Sequence, residues 1–488
     1  MGISVETFFL NPDAQGTLQA QIQQMVAQGI LSGRFHIGER LPSSRRLASH
    51  LGVSRITVTL AYTELVANDY LASRGRSGYF VSDNAPVPPA YAPPPARLPD
   101  TVDWPRAMAR RFTGGDTPQK PQNWRTFRYP FIYGQADPDL FDHANWRLCA
   151  LRALGQKDFA SLTADYFDRD DPLLVEFIAR HTLPRRGITA RPDEILITLG
   201  AQNALWIAAQ ILLNRRRRAA IEDPCYYSLR DVLAQRRCHL TPVPVDEDGL
   251  PPQAIPAGTD VIFTTPSHQS PTTATMPLAR RRALLARARE LNALIVEDDY
   301  EFEMAFLRAP SPALKSLDRE GRVIYAGSFS KSLFPGLRLG YLVGSEPFIR
   351  EARALRASVL RHPPGHIQRT AAYFLSLGHY DAQIRRMRAA LHNRRQAIEA
   401  AVAAHGLTIA GRGVYGGSSL WMRAPEGIDT ARLAAALHGD GVMIEPGAPF
   451  FAGPDRPTRF YRLGYSSIPT ARIAPGVERI ARALTHAA

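Results

Sequence analysis

The sequence predicts a multidomain chain: a small α+β head, a proline-rich spacer, and a large α/β body ending in a smaller α+β subdomain. Three observations carry this. Ten prolines fall within residues 82–121, clustered as Pro86-Val87-Pro88-Pro89 and Pro93-Pro94-Pro95, and such a stretch forms neither regular helix nor central strand. Before it, helical spacing gives way to a hairpin pattern. After it, short apolar β-type runs alternate with amphipathic helices, the pattern of a mostly parallel sheet covered on both faces. The expected divisions are 1–81 for the head, 82–126 for the spacer and 127–488 for the body.

Composition narrows the classes. The 488 residues are 45% hydrophobic and 21% charged, enough for large cores and unlike a disordered chain. The formal net charge of +14 favours a polyanionic partner such as nucleic acid. Lys120, Lys157, Lys315 and Lys331 are the only lysines among 59 basic residues, so chemistry needing a side-chain primary amine has four candidates. Cys149, Cys225 and Cys238 are scattered, which fits neither a metal site nor a disulfide framework and suits a reducing compartment. The N-terminus lacks a signal-peptide pattern, and no apolar run approaches the roughly 18 residues that span a bilayer. The expected location is the cytoplasm, with no membrane partner.

In the head, Leu18, Ile22, Met25, Val26, Ile30 and Leu31 recur at helical spacing up to Ser32-Gly33. Leu41-Pro42-Ser43-Ser44 supplies an N-cap for a short helix ended by Gly52, and Ser54 caps a third helix through Val58, Ala61, Leu65 and Val66. Helix, glycine-containing turn, helix is the helix-turn-helix layout, and Tyr70-Leu71 with Tyr79-Phe80-Val81 reads as a two-stranded wing. The frame LPSSR…LGVSR.TV over residues 17–81 resembles the winged helix-turn-helix of GntR-type regulators. That resemblance implies promoter DNA as a partner. It turns Arg45 and Arg46 of the second helix, Ser54, Arg55 and Thr57 of the third, and Arg74 and Arg76 of the wing toward it.

In the body, strands are expected at 195–198, 219–222, 261–264, 294–297 and 323–326, with helices at 201–213, 277–291 and 346–360 among them. From about residue 366, helices mix with strands near 418–422 and 460–463. Three motifs follow strands directly: Thr198-Leu199-Gly200-Ala201-Gln202, Glu297-Asp298-Asp299-Tyr300 and Ser328-Phe329-Ser330-Lys331. A helix N-terminus holds phosphate, a desolvated lysine forms a Schiff base, and ligands of open α/β sheets sit beyond the carboxyl ends of strands.

Together these motifs resemble the pyridoxal 5'-phosphate (PLP) site of fold-type I aminotransferases, and the whole chain resembles the MocR subfamily of GntR-type bacterial regulators. The resemblance implies that Lys331 carries PLP and is the catalytic residue, that Asp298 pairs with the ring nitrogen and that Tyr300 bonds the ring oxygen. Arg338, Ser328, Gly200, Ala201 and Gln202 would hold the phosphate. Tyr226 would stack on the ring, with Tyr227 a rival. Arg462 would clamp an effector carboxylate, with Arg459 a rival. His268 either lines the effector pocket or is a buried core histidine. Tyr166 would reach a neighbouring subunit's phosphate, which requires a homodimer. No metal is implied.

Classical aminotransferases carry Asn-Pro where Ser270-Pro271 stands, and often Gly where Thr273 stands. The resemblance implies a regulator that senses an amino compound through an external aldimine, and these departures argue against physiological turnover. The alternative is an active aminotransferase with an accessory DNA-binding head. The head carries seven arginines against five acids, so most of the net charge lies on the body. Either the body offers DNA a second surface, or its charge reflects arginine-rich composition.

Overall fold

The computed structural model describes residues 2–11, 16–86, 101–110, 112–113, 121–411 and 413–487. The chain forms two compact units, Met1–Arg111 and Phe112–Ala488, so the expected spacer straddles the division. Its two ends belong to the units: Ala85 is buried in the head core, and Trp124 is buried against Ile132 and Met443 of the body.

In the head, α1 (Leu18–Leu31), α2 (Ser44–Leu51) and α3 (Arg55–Ala67) begin at Thr17, Ser43 and Ser54, each accepting a backbone N–H in its first turn. Gly52 ends α2 at φ 67°, a left-handed conformation glycine adopts without a Cβ penalty. Ile22, Val26, Leu47, Val58, Ala61 and Tyr62 make the shared core, where burying one large apolar side chain contributes about 1.5–3 kcal/mol. The wing strands β1 (Leu71–Ser73) and β2 (Tyr79–Val81) pair antiparallel, Leu71 opposite Val81.

The body opens with a short strand, β3 (Tyr129–Pro130). Its main sheet then uses β4 (Ile195–Thr198), β5 (Arg218–Asp223), β6 (His239–Pro244), β7 (Val261–Thr264), β8 (Leu294–Asp299), β9 (Val323–Ser328) and β10 (Gly340–Val343), in the order β4-β10-β9-β8-β7-β5-β6. All neighbours are parallel except β10, which is antiparallel to both β4 and β9. Because β10 runs backward between them, β4 and β9 point the same way, and the carboxyl ends of β4, β8 and β9 share one edge. Strands β4, β7 and β9 are buried along their whole length, as coverage of both sheet faces demands.

The C-terminal subdomain contains β11 (Thr408–Ile409), β12 (Ser419–Arg423), β13 (Val442–Met443), β14 (Glu445–Pro446) and β15 (Phe460–Gly464). Four of these form a sheet ordered β11-β12-β15-β14, while β13 pairs in parallel with β3. The segment entering the body is thereby fastened to the subdomain immediately before it reaches Tyr133. Two strands of the main sheet were not read from sequence: β6, which is mostly exposed or half-buried, and β10, embedded in the GLRLGY motif.

Candidate functional site

The strand geometry gathers the three motifs. Along β8 successive side chains face opposite sides. Glu297 accepts the backbone N–H groups of Leu314 and Lys315, both at 2.8 Å. Asp299 accepts from Arg186 at 2.7 Å and from the Tyr325 hydroxyl at 2.8 Å. Asp298, between them, is buried and its Oδ1 has no hydrogen-bond partner. Burial, reinforced by the neighbouring Asp299 charge, pushes its pKa up to about 8, against the opposing pull of the Lys331 ammonium. A carboxylate held this way is costly unless a cationic donor meets it.

Lys331 follows the end of β9. Its Nζ lies 4.3 Å from the centroid of the Tyr133 ring. Gly134, at φ 73°, leaves the amine its space, since a Cβ there would stand 2.2 Å from Nζ. The Ser328 hydroxyl accepts the Ser330 N–H at 3.2 Å.

At the end of β4, Gly200 (φ 80°) is the N-cap of the helix Ala201–Leu212, whose first N–H groups have no intrahelical acceptor. Arg338 donates to the Leu199 carbonyl at 2.9 Å, and a Cβ on Gly200 would lie 3.3 Å from its Nη2. Gly340 stands opposite both Thr198 and Ser328, where a Cβ would come within 2.9 Å of the Gly200 backbone. Asn203, absent from the sequence reading, fixes this turn by accepting the Leu199 N–H at 3.1 Å. The orphaned Asp298 oxygen, the amine and the cradle at Gly200 together fit PLP: an acid for its ring nitrogen, an amine for its aldehyde and donors for its phosphate.

Around these groups lie further residues. Tyr300 and Tyr133 hydrogen-bond to each other, and burial followed by the Glu301 charge raises both phenols. Glu301 accepts from Tyr133 at 3.4 Å and from the Ser418 hydroxyl. His268 is buried, with Nε2 3.3 Å from Glu301 but outside hydrogen-bond geometry; burial lowers its pKa despite the Glu301 charge. Burial also raises the Tyr226 phenol, which sits close enough to feel Asp298, Arg338 and Arg462. Arg462 is buried, lies 3.8 Å from the Tyr133 ring centroid and is paired with Glu445. Tyr133, Glu301 and Glu445 were missed from sequence. The only signal for Tyr133 was its place before Gly134 at the end of an apolar run.

Other candidates separate. Arg459 pairs with exposed Glu426 at 3.2 Å. Tyr227 packs on Phe450 with ring centroids 5.4 Å apart. Tyr166 lies under the Arg169 guanidinium, 3.9 Å away, in a cavity of about 1100 Å³ whose lining does not include Lys331. Thr273 adopts φ 63°, so a β-branched residue occupies a conformation that favours glycine.

On the head, Arg45, Arg46 and Arg55 are exposed, and Arg55 reaches the Ser44 hydroxyl at 3.4 Å. Ser54 accepts the Thr57 N–H at 3.1 Å and its hydroxyl meets that of Thr57 at 2.9 Å, so both belong to the cap of α3. Arg74 lies over Phe80 at 4.8 Å, while the Arg76 side chain is outside the described residues. The structure adds Ile56 and Leu60, exposed on α3 among these polar groups, the type of side chain that contacts thymine methyls.

Residues 18–81 match the bacterial regulatory proteins of the gntR family, and residues 143–480 match aminotransferase class I and II. The HTH-type transcriptional regulator TauR of Rhodobacter capsulatus is 58% identical over 484 residues, covering 99% of this chain and 100% of that protein. The probable rhizopine catabolism regulatory protein MocR of Rhizobium meliloti is 31% identical, covering 96% and 94%. Among solved structures, kynurenine aminotransferase of Pyrococcus horikoshii superposes with TM-score 0.68 at 25% identity, covering 75% of this chain and 92% of that one. The α-aminoadipate aminotransferase LysN of Thermus thermophilus gives 0.67 at 28% identity, covering 73% and 92%. A reading head with exposed arginines and an aminotransferase fold thus meet in one chain, which belongs to the MocR subfamily of GntR-type, DNA-binding transcriptional regulators.

Proposed function

We propose that this regulator binds PLP on Lys331 and uses it to sense a small amino compound. The observation that carries this is Asp298: a buried carboxylate with an unpartnered oxygen, close enough to the Lys331 amine to feel its charge. Bound there, PLP would supply an aldehyde reactive toward primary amines. Asp298 would hold its ring nitrogen, Arg338, Ser328 and the Gly200, Ala201 and Gln202 N–H groups would hold its phosphate, and Tyr226 would pack on its ring. Tyr300, hydrogen-bonded to Tyr133, serves the ring oxygen, while Arg462 and His268 face the effector. Differential affinity for the effector then shifts the balance between states of the protein that differ in operator affinity. Turnover is not required, and a buried Ser270 stands where classical aminotransferases carry Asn.

The reading includes a homodimer in the cytoplasm. Leu148, Leu151, Phe159 and Phe167 are large apolar side chains left exposed on the body, and Tyr166 lines a cavity that does not include Lys331. No helix among the described residues is long and apolar enough to cross a membrane. At the head, Arg55 reads bases, Arg45, Arg46, Arg74 and Arg76 meet phosphates, and Ser54 with Thr57 presents the start of α3.

Titrating the purified protein with primary amines while recording cofactor absorption and operator affinity tests the proposal. One amine should change both with the same midpoint. A protein without a cofactor band, or operator affinity indifferent to every amine that changes the band, would overturn it.

A further inference from the structure

The arginine assigned to the effector's acid group already holds an acid. Glu445 and Arg462 are directly opposite each other across β14 and β15. Arg462 Nε and Nη2 lie 2.7 and 2.6 Å from the same oxygen, Glu445 Oε2. The second oxygen, Oε1, is buried and has no hydrogen-bond partner. One oxygen is therefore served twice and the other not at all, unlike the two-oxygen fork a guanidinium forms with a well-placed carboxylate. Arg462 itself is held in place by the rings of Tyr133 and Phe450, at 3.8 and 4.7 Å, so it cannot swing away to meet a ligand elsewhere.

We infer that Glu445 is a built-in competitor for the effector's acid group and thereby determines specificity. The inference rests on the reading of this pocket as an amino-compound site. A ligand acid arriving at Arg462 either displaces Glu445 or shares the guanidinium with it, and two carboxylates in one buried site repel. The internal carboxylate thus raises the threshold for every acid-bearing amine relative to an acid-free amine of equal length. Only a ligand whose oxyanion engages the guanidinium edge with two oxygens, while its amine is held at Lys331, recovers the loss. Displacement has somewhere to go: Glu445 also lines a cleft of about 330 Å³ with His438, Ile444 and Pro446. There the released carboxylate would regain water and lie near the His438 imidazole.

The test uses full-length wild type, E445Q, R462Q and the double variant, titrated calorimetrically with propionate, an acid without an amine, and propylamine, an amine without an acid. Propionate should bind E445Q at least tenfold more tightly than wild type, with the gain abolished in the double variant. The propionate-to-propylamine affinity ratio should move by the same factor. Propionate affinities of wild type and E445Q within twofold of each other, or a gain that survives removal of Arg462, would overturn the role of Glu445. Because propionate does not react with an aldehyde, its binding is read independently of the cofactor. Absorption recorded on the same samples tests the cofactor reading separately, and a missing band with the propionate gain intact breaks only that reading. Should E445Q not fold, E445D, which withdraws the charge by one methylene, carries the same comparison.

Discussion

The head and the body hold their functional groups in opposite ways. On the head the polar groups are exposed and locally organised: Ser43 caps onto Arg46 and Ser54 onto Thr57, each three residues away. In the body most are withdrawn from water and held by residues more than a hundred positions distant, as in Arg186 to Asp299 and Tyr133 to Glu301, while Arg338 stays exposed as it reaches Leu199. A surface of local motifs loses function in increments when one residue changes. A buried constellation loses it steeply, because each charge there was made tolerable by its partner.

The steepest contrast is expected at Lys331. Lys331→Ala should abolish the absorption of lysine-bound cofactor completely, while the folded secondary structure seen by circular dichroism persists. A retained band would remove Lys331 from the site. Asp298→Asn comes next, with cofactor affinity weaker by about 10²–10³-fold by equilibrium titration, since breaking a buried pair costs about 3–5 kcal/mol. The same variant has a pH signature in the cofactor-free protein. Because the folded-state pKa of Asp298 is raised to about 8, the folded chain holds a proton that the unfolded chain releases above the ordinary carboxylate range. Its contribution to stability is therefore full at acid pH and is lost as pH rises toward 8. Asp298→Asn should flatten that decline by up to ~1 kcal/mol per pH unit in denaturant melts. Glu303, also raised to about 8, and Glu297, raised to about 7, keep part of the slope.

On the head the effects should be smaller and separable. Arg55→Ala should weaken operator binding about tenfold and relax base preference at its position, read by competition with single-base operator variants. Ser54→Ala should cost about 1 kcal/mol of head stability, because its hydroxyl caps the Thr57 N–H. If Ser54→Ala changes base preference without changing stability, the division between capping and reading fails.

Legibility from sequence followed the same divide. The caps, the Gly52 turn and the wing were readable because each depends on a few neighbouring residues. The strands carrying Gly200, Asp298 and Lys331 were also readable, as apolar runs ending in motifs. Tyr133, Glu301 and Glu445 were not, since nothing local marks a tyrosine that will lie over a lysine 198 positions later. Thr273 was visible as a departure from glycine, but only its φ of 63° shows that the backbone keeps the left-handed turn.

The sequence alone determined the two modules, the proline-rich stretch between them, and the restriction of side-chain amines to four lysines, because these rest on composition and on periodicity within short windows. Only the tertiary structure decided which acids are partnered and which are not. The reversed strand β10 brings the ends of β4 and β9 to one edge, and the antiparallel register of β14 with β15 places Glu445 on Arg462. Electrostatic pairing depends on distances between side chains remote in sequence, and those distances exist only once the sheets have formed.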